Sequence, residues 1–236
     1  MYALVADCVS KAFGERSVLT SASLRAKTGE VRVIFGRNGE GKSTLLKIAV
    51  GWLQPDSGVV RVGDTTLLYA TLPVLAAQGV FYLPDHEILA PAYQLGRQLG
   101  FFERRYNRRR VHEAARLARV EHLLHQRPDS LSGGELRRAE LALAIARMPA
   151  VLIADEPYRG ITPADHDDLT ALFRLLAAEG CAVVVTGHEV PSLLGAADHV
   201  TWCTDGTTYE LGAPEQACEH DAFRRTYLGP RFRGFR

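Results

Sequence analysis

The stretch that decides the fold is Val31-Arg32-Val33-Ile34-Phe35, then Gly36-Arg37-Asn38-Gly39-Glu40-Gly41-Lys42-Ser43-Thr44, then Leu45 onward to Leu53. Four of the first five residues are apolar and three of them, Val31, Val33 and Ile34, are β-branched, which predicts a strand. Leu45, Leu46, Ile48, Ala49 and Trp52 recur at helical spacing, which predicts a helix over Ser43–Leu53. Between the two, Gly36, Gly39 and Gly41 let the backbone curl so that consecutive N–H groups point inward. Those donors, with the N-terminus of the following helix, suit anionic phosphates. Arg37, Asn38 and Glu40 complete the same cradle. Lys42 places one positive charge on the terminal phosphates, the Ser43 hydroxyl is placed to ligate Mg²⁺, and Thr44 adds a phosphate contact. The pattern G-x-x-x-x-G-K-S is complete and stands in its strand–loop–helix setting. A chance glycine turn is therefore a poor account of it.

Two further stretches carry chemistry. Val151-Leu152-Ile153-Ala154 has the composition of a strand buried on both faces, and Asp155 and Glu156 emerge at its C-terminal end. That is where open α/β sheets bind ligands. Asp155 is a candidate to hold Mg²⁺ through water, and Glu156 to orient or deprotonate an attacking water. Leu131-Ser132-Gly133-Gly134-Glu135 opens a helix that runs to about Met148, with Ser132 and Glu135 spaced as a capping box.

The rest of the chain reads as alternating elements. Tyr2–Asp7 and Val18–Leu24 are strand-like, Gly58–Val62 and Thr65–Leu68 form a small hairpin, and Gly79–Leu83 is a short strand stopped by Pro84. Helix Ala164–Ala178 and strand Ala182–Thr186 follow the carboxylates. Residues 88–130 are Arg-rich and helical, with Val111–Gln126 the clearest helix. The expectation is a single α/β domain over 1–236: residues 1–87 and 149–236 form the body with a β subdomain, and 88–148 form an inserted helical subdomain.

The bulk numbers restrict the class. Hydrophobic residues are 47% and charged residues 23%, enough for an ordinary core. Lys+Arg 28 against Asp+Glu 27 leaves a net charge of +1, so no nucleic-acid partner is expected. Cys8, Cys181, Cys203 and Cys218 make no C-x-x-C pair and read as reduced cytosolic thiols. The N-terminus lacks the pattern of a signal peptide. No run approaches the ~18 apolar residues of a spanning helix.

In their order and separation, the glycine loop, the Leu131–Glu135 segment and the paired carboxylates resemble the ATP-binding subunit of an ATP-binding-cassette (ABC) transporter. The resemblance extends from Phe13 to about Gly229. It implies a P-loop ABC ATPase fold with an antiparallel β subdomain, and hydrolysis of ATP with Mg²⁺ to power transport. It also implies a head-to-tail dimer in which Leu131, Ser132, Gly133, Gly134 and Glu135 meet the ATP of the second ABC ATPase subunit. Transmembrane permease subunits would hold the protein at the inner face of the cell membrane. On the same grounds His188, in Thr186-Gly187-His188-Glu189, is similar to the γ-phosphate-sensing histidine, and Phe13 to the aromatic that stacks on adenine. A core aromatic is the plainer account of Phe13.

Two positions depart from the family pattern. Asp85 stands where the family usually has a glutamine that reaches the metal, and a carboxylate there is itself a candidate Mg²⁺ ligand. Thr162, in Gly160-Ile161-Thr162-Pro163, replaces an interface aspartate. The run Phe223–Gly229 is similar to the ends of two branches, one exporting lipopolysaccharide and one importing branched-chain amino acids. Arg137-Arg138, Glu140 and Phe232 look nearer the export type. A soluble ABC ATPase acting on nucleic acid or ribosomes, and a regulatory subunit that binds ATP without hydrolysis, are the competing classes. The arginines Arg104, Arg105, Arg108, Arg109 and Arg110 read as a solvated helix face.

Overall fold

The computed structural model describes residues 1–67, 70–106, 111–229 and 232. The chain opens with two long antiparallel strands, β1 (Tyr2–Phe13) and β2 (Arg16–Lys27), joined by a turn at Gly14. Both are longer than the apolar alternation alone predicts. β3 (Val31–Phe35) leads through the glycine loop into α1 (Lys42–Ala49). That helix stops short of Leu53, and Trp52 lies outside it with its ring exposed. The hairpin follows as β4 (Ser57–Val62) and β5 (Thr65–Leu67), with Leu68 outside the described residues. A short helix absent from the sequence reading, α2 (Leu72–Ala77), precedes β6 (Val80–Leu83).

Helices α3 (Leu95–Tyr106), α4 (Val111–Leu117) and α5 (Gly133–Arg147) form the inserted layer, with α3 and α4 packed on α5. The continuous helix expected over Val111–Gln126 is not present. α4 ends at Leu117, Arg119 turns left-handed at φ 56°, and Glu121–Leu123 form a single 3₁₀ turn. Burial explains the break: Ala118, Val120 and Leu123 are all drawn into the core, a set of positions that one straight helix does not place on one face. Arg104 and Arg105 close α3, whereas Arg108–Arg110 lie outside the described residues.

The second half alternates strictly: β7 (Val151–Ala154), α6 (Pro163–Ala178), β8 (Ala182–Thr186), α7 (Val190–Ala196), β9 (His199–Thr204). It closes with β10 (Thr207–Gly212), α8 (Pro214–Glu219) and α9 (Asp221–Phe223), which runs into a π-helical turn at Arg224–Leu228.

The strands join one sheet in the order β5-β4-β1-β2-β10-β9-β3-β8-β7-β6. From β9 through β3, β8 and β7 to β6 every pairing is parallel, whereas β1–β2, β1–β4 and β4–β5 pair antiparallel, and β10 joins the two halves, parallel to β2 and antiparallel to β9. The parallel strands are buried on both faces, as helices above and below require. Leu152 and Ala154 of β7 join Val183 and Val185 of β8 in one core cluster, while Val151 and Ile153 join Ala182 and Val184 in the other.

One buried ion pair ties the helical layer to the sheet edge. Arg137 and Glu140 of α5 lie 2.8 Å apart, with the Glu140 side chain fully buried. Arg137 donates to the carbonyls of Pro84 and Asp85, and Glu140 accepts from the Ile88 N–H. Burial pushes the Glu140 carboxyl upward against the opposing pull of Arg137. Removing one partner would strand the other charge in the interior.

Candidate active site

The parallel strands bring four loops to one edge in a fixed order. Ile34 pairs with Thr186, Val185 with Ala154, and Ala154 with Leu83. The glycine loop after β3 therefore neighbours the His188 loop after β8. Next come Asp155 and Glu156 after β7, and last Asp85 after β6.

Within the glycine loop, Gly39 and Gly41 have φ of 87° and 96°, and a Cβ on Gly41 would meet Leu19 at 2.5 Å. Only glycine suits that backbone. Lys42 is buried, and its Nζ donates to the carbonyls of Gly36 at 2.7 Å and Arg37 at 3.2 Å. Burial lowers its pKa, and Glu156 is the first of the negative groups that raise it again. An added anion would act in the same direction and favour the charged ammonium. Ser43 and Thr44 line a cleft of about 250 Å³ with Asn38, Lys42 and Glu156. Arg16 lines it too, a residue the sequence reading passed over. Glu40 turns its carboxylate away from the cradle and accepts from the Asp205 N–H at 2.8 Å.

Asp155 is 1% exposed. Its Oδ1 accepts from the Thr186 hydroxyl at 2.6 Å, and the Tyr82 hydroxyl lies 3.4 Å from Oδ2. Burial, then the Asp155 and Asp85 charges, push the Tyr82 phenol far above its usual range, so it remains a donor. Next to it Glu156 holds a φ of 48°, unusual for a side chain of that length. Its N–H donates to Thr186 Oγ1 at 3.0 Å, which fixes the bend. His188 Nε2 stands 3.3 Å from Glu156 Oε1. A second cleft of about 380 Å³ opens beside the first, lined by Glu156, His188, Tyr158 and Arg159, with Asn38 and Glu156 shared between the two.

Phe13 closes β1 with its ring half-exposed and Lys11 Nζ 5.9 Å from the ring centroid, so it is not a core aromatic. Asp85 is half-exposed beside His86 Nδ1 at 3.3 Å, and its main-chain carbonyl is held by Arg137. It lines neither cleft. Among the described residues no three His, Cys, Asp or Glu side chains gather as a metal cluster. The donor set on offer is the Ser43 hydroxyl and the Asp155 carboxylate, whose hydrogen-bond partners are hydroxyls. Few protein oxygens, with water and phosphate completing the shell, fit Mg²⁺.

The Leu131–Glu135 segment is built as a helix entrance. Ser132 N–H donates to Glu135 Oε2 at 2.8 Å, and the Glu135 N–H returns to Ser132 Oγ at 3.3 Å. The backbone hydrogen bond from Ser132 holds the Glu135 carboxyl below its usual range. A Cβ on Gly134 would fall 2.1 Å from the Asp165 carboxyl carbon, so the helix start lies against α6 with no room for a side chain. Ser132 and Gly133 are exposed. None of the five lines the two clefts, so the fold does not bring this segment to the chain's own glycine loop. Thr162 caps α6, accepting from the Asp165 N–H at 3.4 Å. Aspartate caps a helix as well as threonine does. The departure there removes a charge, not the cap.

Sequence reasoning missed Thr186, Tyr82 and Tyr158. Thr186 had a readable signal, because a hydroxyl ending the apolar run Ala182–Val185 has to find a partner inside.

A glycine loop with a buried lysine, facing strand-end carboxylates on a parallel sheet, defines a phosphate-loop nucleoside triphosphatase. The sequence pattern of the family described as ABC transporter matches residues 19–159, more than half of the chain. The chain is similar to the lipopolysaccharide export system ATP-binding protein LptB of Escherichia coli, at 30% identity over 99% of this chain and 100% of that one. It is 32% identical to a probable ABC transporter ATP-binding protein of Azorhizobium caulinodans, over 98% of this chain and 84% of the relative. The zinc import ATP-binding protein ZnuC of Halorhodospira halophila is also 32% identical, over 94% and 83%. Among solved structures, a nucleotide-free ATP-binding cassette from an ABC transporter superposes with a TM-score of 0.82 at 22% identity, covering 94% of this chain and 96% of that one. The chain belongs to the ABC transporter family, as its ATP-binding, ATP-hydrolysing subunit.

Proposed function

We propose that this ATPase works as a head-to-tail dimer beneath transmembrane permease subunits, and that its transporter is of the lipopolysaccharide-export type. The observation that carries the dimer is the exposed, capped Ser132-Gly133 helix entrance, standing apart from the glycine loop of its own chain. Helix N-termini with free N–H groups bind anions, so a second copy's γ-phosphate is the natural occupant. Two-fold symmetry then completes both sites at once. In this reading residues 88–148 are the lobe that carries the signature, and 1–87 with 149–236 are the nucleotide-binding body.

In the assembled site the glycine-loop N–H groups (Gly36 to Gly41), Lys42 and Thr44 hold the phosphates, and Phe13 stacks on the adenine. Ser43 and Asp155 are the residues to hold Mg²⁺, with Asp85 a third candidate. Bound there, the ion would neutralise phosphate charge as the leaving oxygen develops. Glu156 orients the attacking water in line with the γ-phosphorus and takes its proton, and His188 steadies both Glu156 and the γ-phosphate. Intact Lys42, Asp155, Glu156 and His188 speak against a subunit that only binds ATP. Asp85→Gln is expected to preserve or raise hydrolysis, because Asp85 lines neither cleft and its loss removes one negative charge from that edge of the sheet; a collapse of steady-state ATPase activity in that variant refutes this account.

The branch rests on end-to-end similarity to LptB of several organisms, including that of Acidithiobacillus ferridurans at 31% identity over 97% of this chain and 98% of the relative. Among the described residues no helix is long and apolar enough to cross a membrane. Attachment at the inner face is assigned to the permease. A groove of about 350 Å³ on α3, lined by Tyr93, Arg97, Phe101 and Arg104, supports such docking. The test is gentle solubilisation of native membranes, capture of the tagged chain and mass spectrometry of what accompanies it. Export-type permease subunits are the expected partners. An importer's permease with its receptor reassigns the cargo, and recovery with ribosomes or nucleic acid alone overturns the transport role.

A further inference from the structure

The C-terminal turn lies behind the active site and touches two of its loops at once. α9 and the π-helical turn Arg224–Leu228 lie against the end of β3, with Phe223 stacked on Tyr227 at 5.2 Å between ring centroids. Phe35, the last residue before the glycine loop, packs on Tyr227 at 5.5 Å. The Tyr227 hydroxyl stands 3.5 Å from the Gly187 carbonyl. Gly36 opens the glycine loop, and Gly187 immediately precedes His188. Arg37 adds a second tie, donating to the Thr226 carbonyl at 2.6 Å. Burial pushes the phenol up to about 12, so the hydroxyl keeps its proton at any working pH. π-helical turns are rare and cluster at functional sites.

We infer that Tyr227 is a positioning residue for hydrolysis: its ring rests on Phe35 at the foot of the glycine loop, its hydroxyl reaches the His188 loop, and together they fix the separation of the two. The inference rests on the reading above that His188 and Glu156 serve the chemistry. Ring and hydroxyl have separable duties here. The ring packs on Phe35 and Phe223 and supports the fold, whereas the hydroxyl reaches the Gly187 carbonyl of the His188 loop. His188 stands beside Glu156, so a shift at Gly187 is transmitted to the group that orients the water. Small displacements of a positioning group lower the turnover rate and leave ground-state binding largely intact. ATP affinity is set elsewhere, by the loop N–H groups and Lys42.

Tyr227→Phe separates the two duties. In the full-length chain, at saturating ATP and Mg²⁺, kcat is expected to fall about tenfold while KM and the equilibrium ATP affinity stay within about twofold. Thermal unfolding should be unchanged, because the packed ring is retained. His188→Ala is measured beside it. If His188→Ala abolishes hydrolysis and Tyr227→Phe keeps the wild-type kcat, the bridge has no positioning role. A parallel fall in kcat and ATP affinity also overturns it, since that is the mark of a disturbed glycine loop. If His188→Ala itself hydrolyses normally, the reading of His188 fails first and the inference with it.

Discussion

Glu156→Gln lowers ATP hydrolysis by at least about 10²-fold and leaves ATP affinity within a few-fold of wild type. The substitution keeps the size of the side chain and a polar group 3.3 Å from His188 Nε2, so the left-handed bend held by Thr186 survives. What disappears is a carboxylate able to accept the proton of the attacking water. The glycine loop and Lys42, which bind the phosphates, are untouched. Two acidic charges also leave the dimer, one from each site, which favours closure around ATP. In ATP and Mg²⁺ the variant should therefore elute at twice the monomer mass, and in ADP at the monomer mass. Hydrolysis near the wild-type rate would place the base elsewhere. A variant that binds ATP and stays monomeric would refute the head-to-tail arrangement.

What could be read from sequence was whatever local chemistry restricts residue type. The glycine loop was legible because backbone N–H groups turned inward demand glycines, and Gly41 leaves no space for a Cβ beside Leu19. The Ser132–Glu135 box was legible because its hydrogen bonds close within one helical turn. Three strands of the parallel half, β6, β7 and β8, announced themselves as short apolar runs, whereas β9, with His199, Thr201 and Thr204, did not. Hidden were the contacts between segments far apart in the chain. Arg137 and Glu140 entered the sequence reading only as marks of the export branch; that they form a buried pair depends on the loop after β6, which folds over them. α4 ends where no glycine or proline marks it; Arg119 takes the left-handed turn, and its guanidinium meets Asp168 on α6 at 2.5 Å. Tyr227 lies beside the glycine loop only because β9, α8 and α9 carry the chain back.

Thr186→Val is the second large effect expected, and it tests how the two carboxylates are held. Thr186 is fully buried, and its single hydroxyl does two jobs: it donates to Asp155 Oδ1 and accepts the Glu156 N–H. Valine fills the same volume and keeps the β-branched fit to the strand. The variant therefore removes the hydrogen bonds and little else. It leaves a buried carboxylate short of a donor and a half-buried N–H without its acceptor, together costing about 2–4 kcal/mol of folding stability. Hydrolysis should fall about tenfold or more, because the Glu156 backbone is held in its strained φ by that N–H contact and the Asp155 carboxylate is aimed by the other. Thr186→Ser is the control, keeping the hydroxyl and removing only a methyl. It should hydrolyse near the wild-type rate and lose about 1 kcal/mol in urea unfolding. Equal losses of hydrolysis in the two variants would assign the effect to packing. Equal activity in Thr186→Val and wild type would mean that the strand ends alone position Asp155 and Glu156.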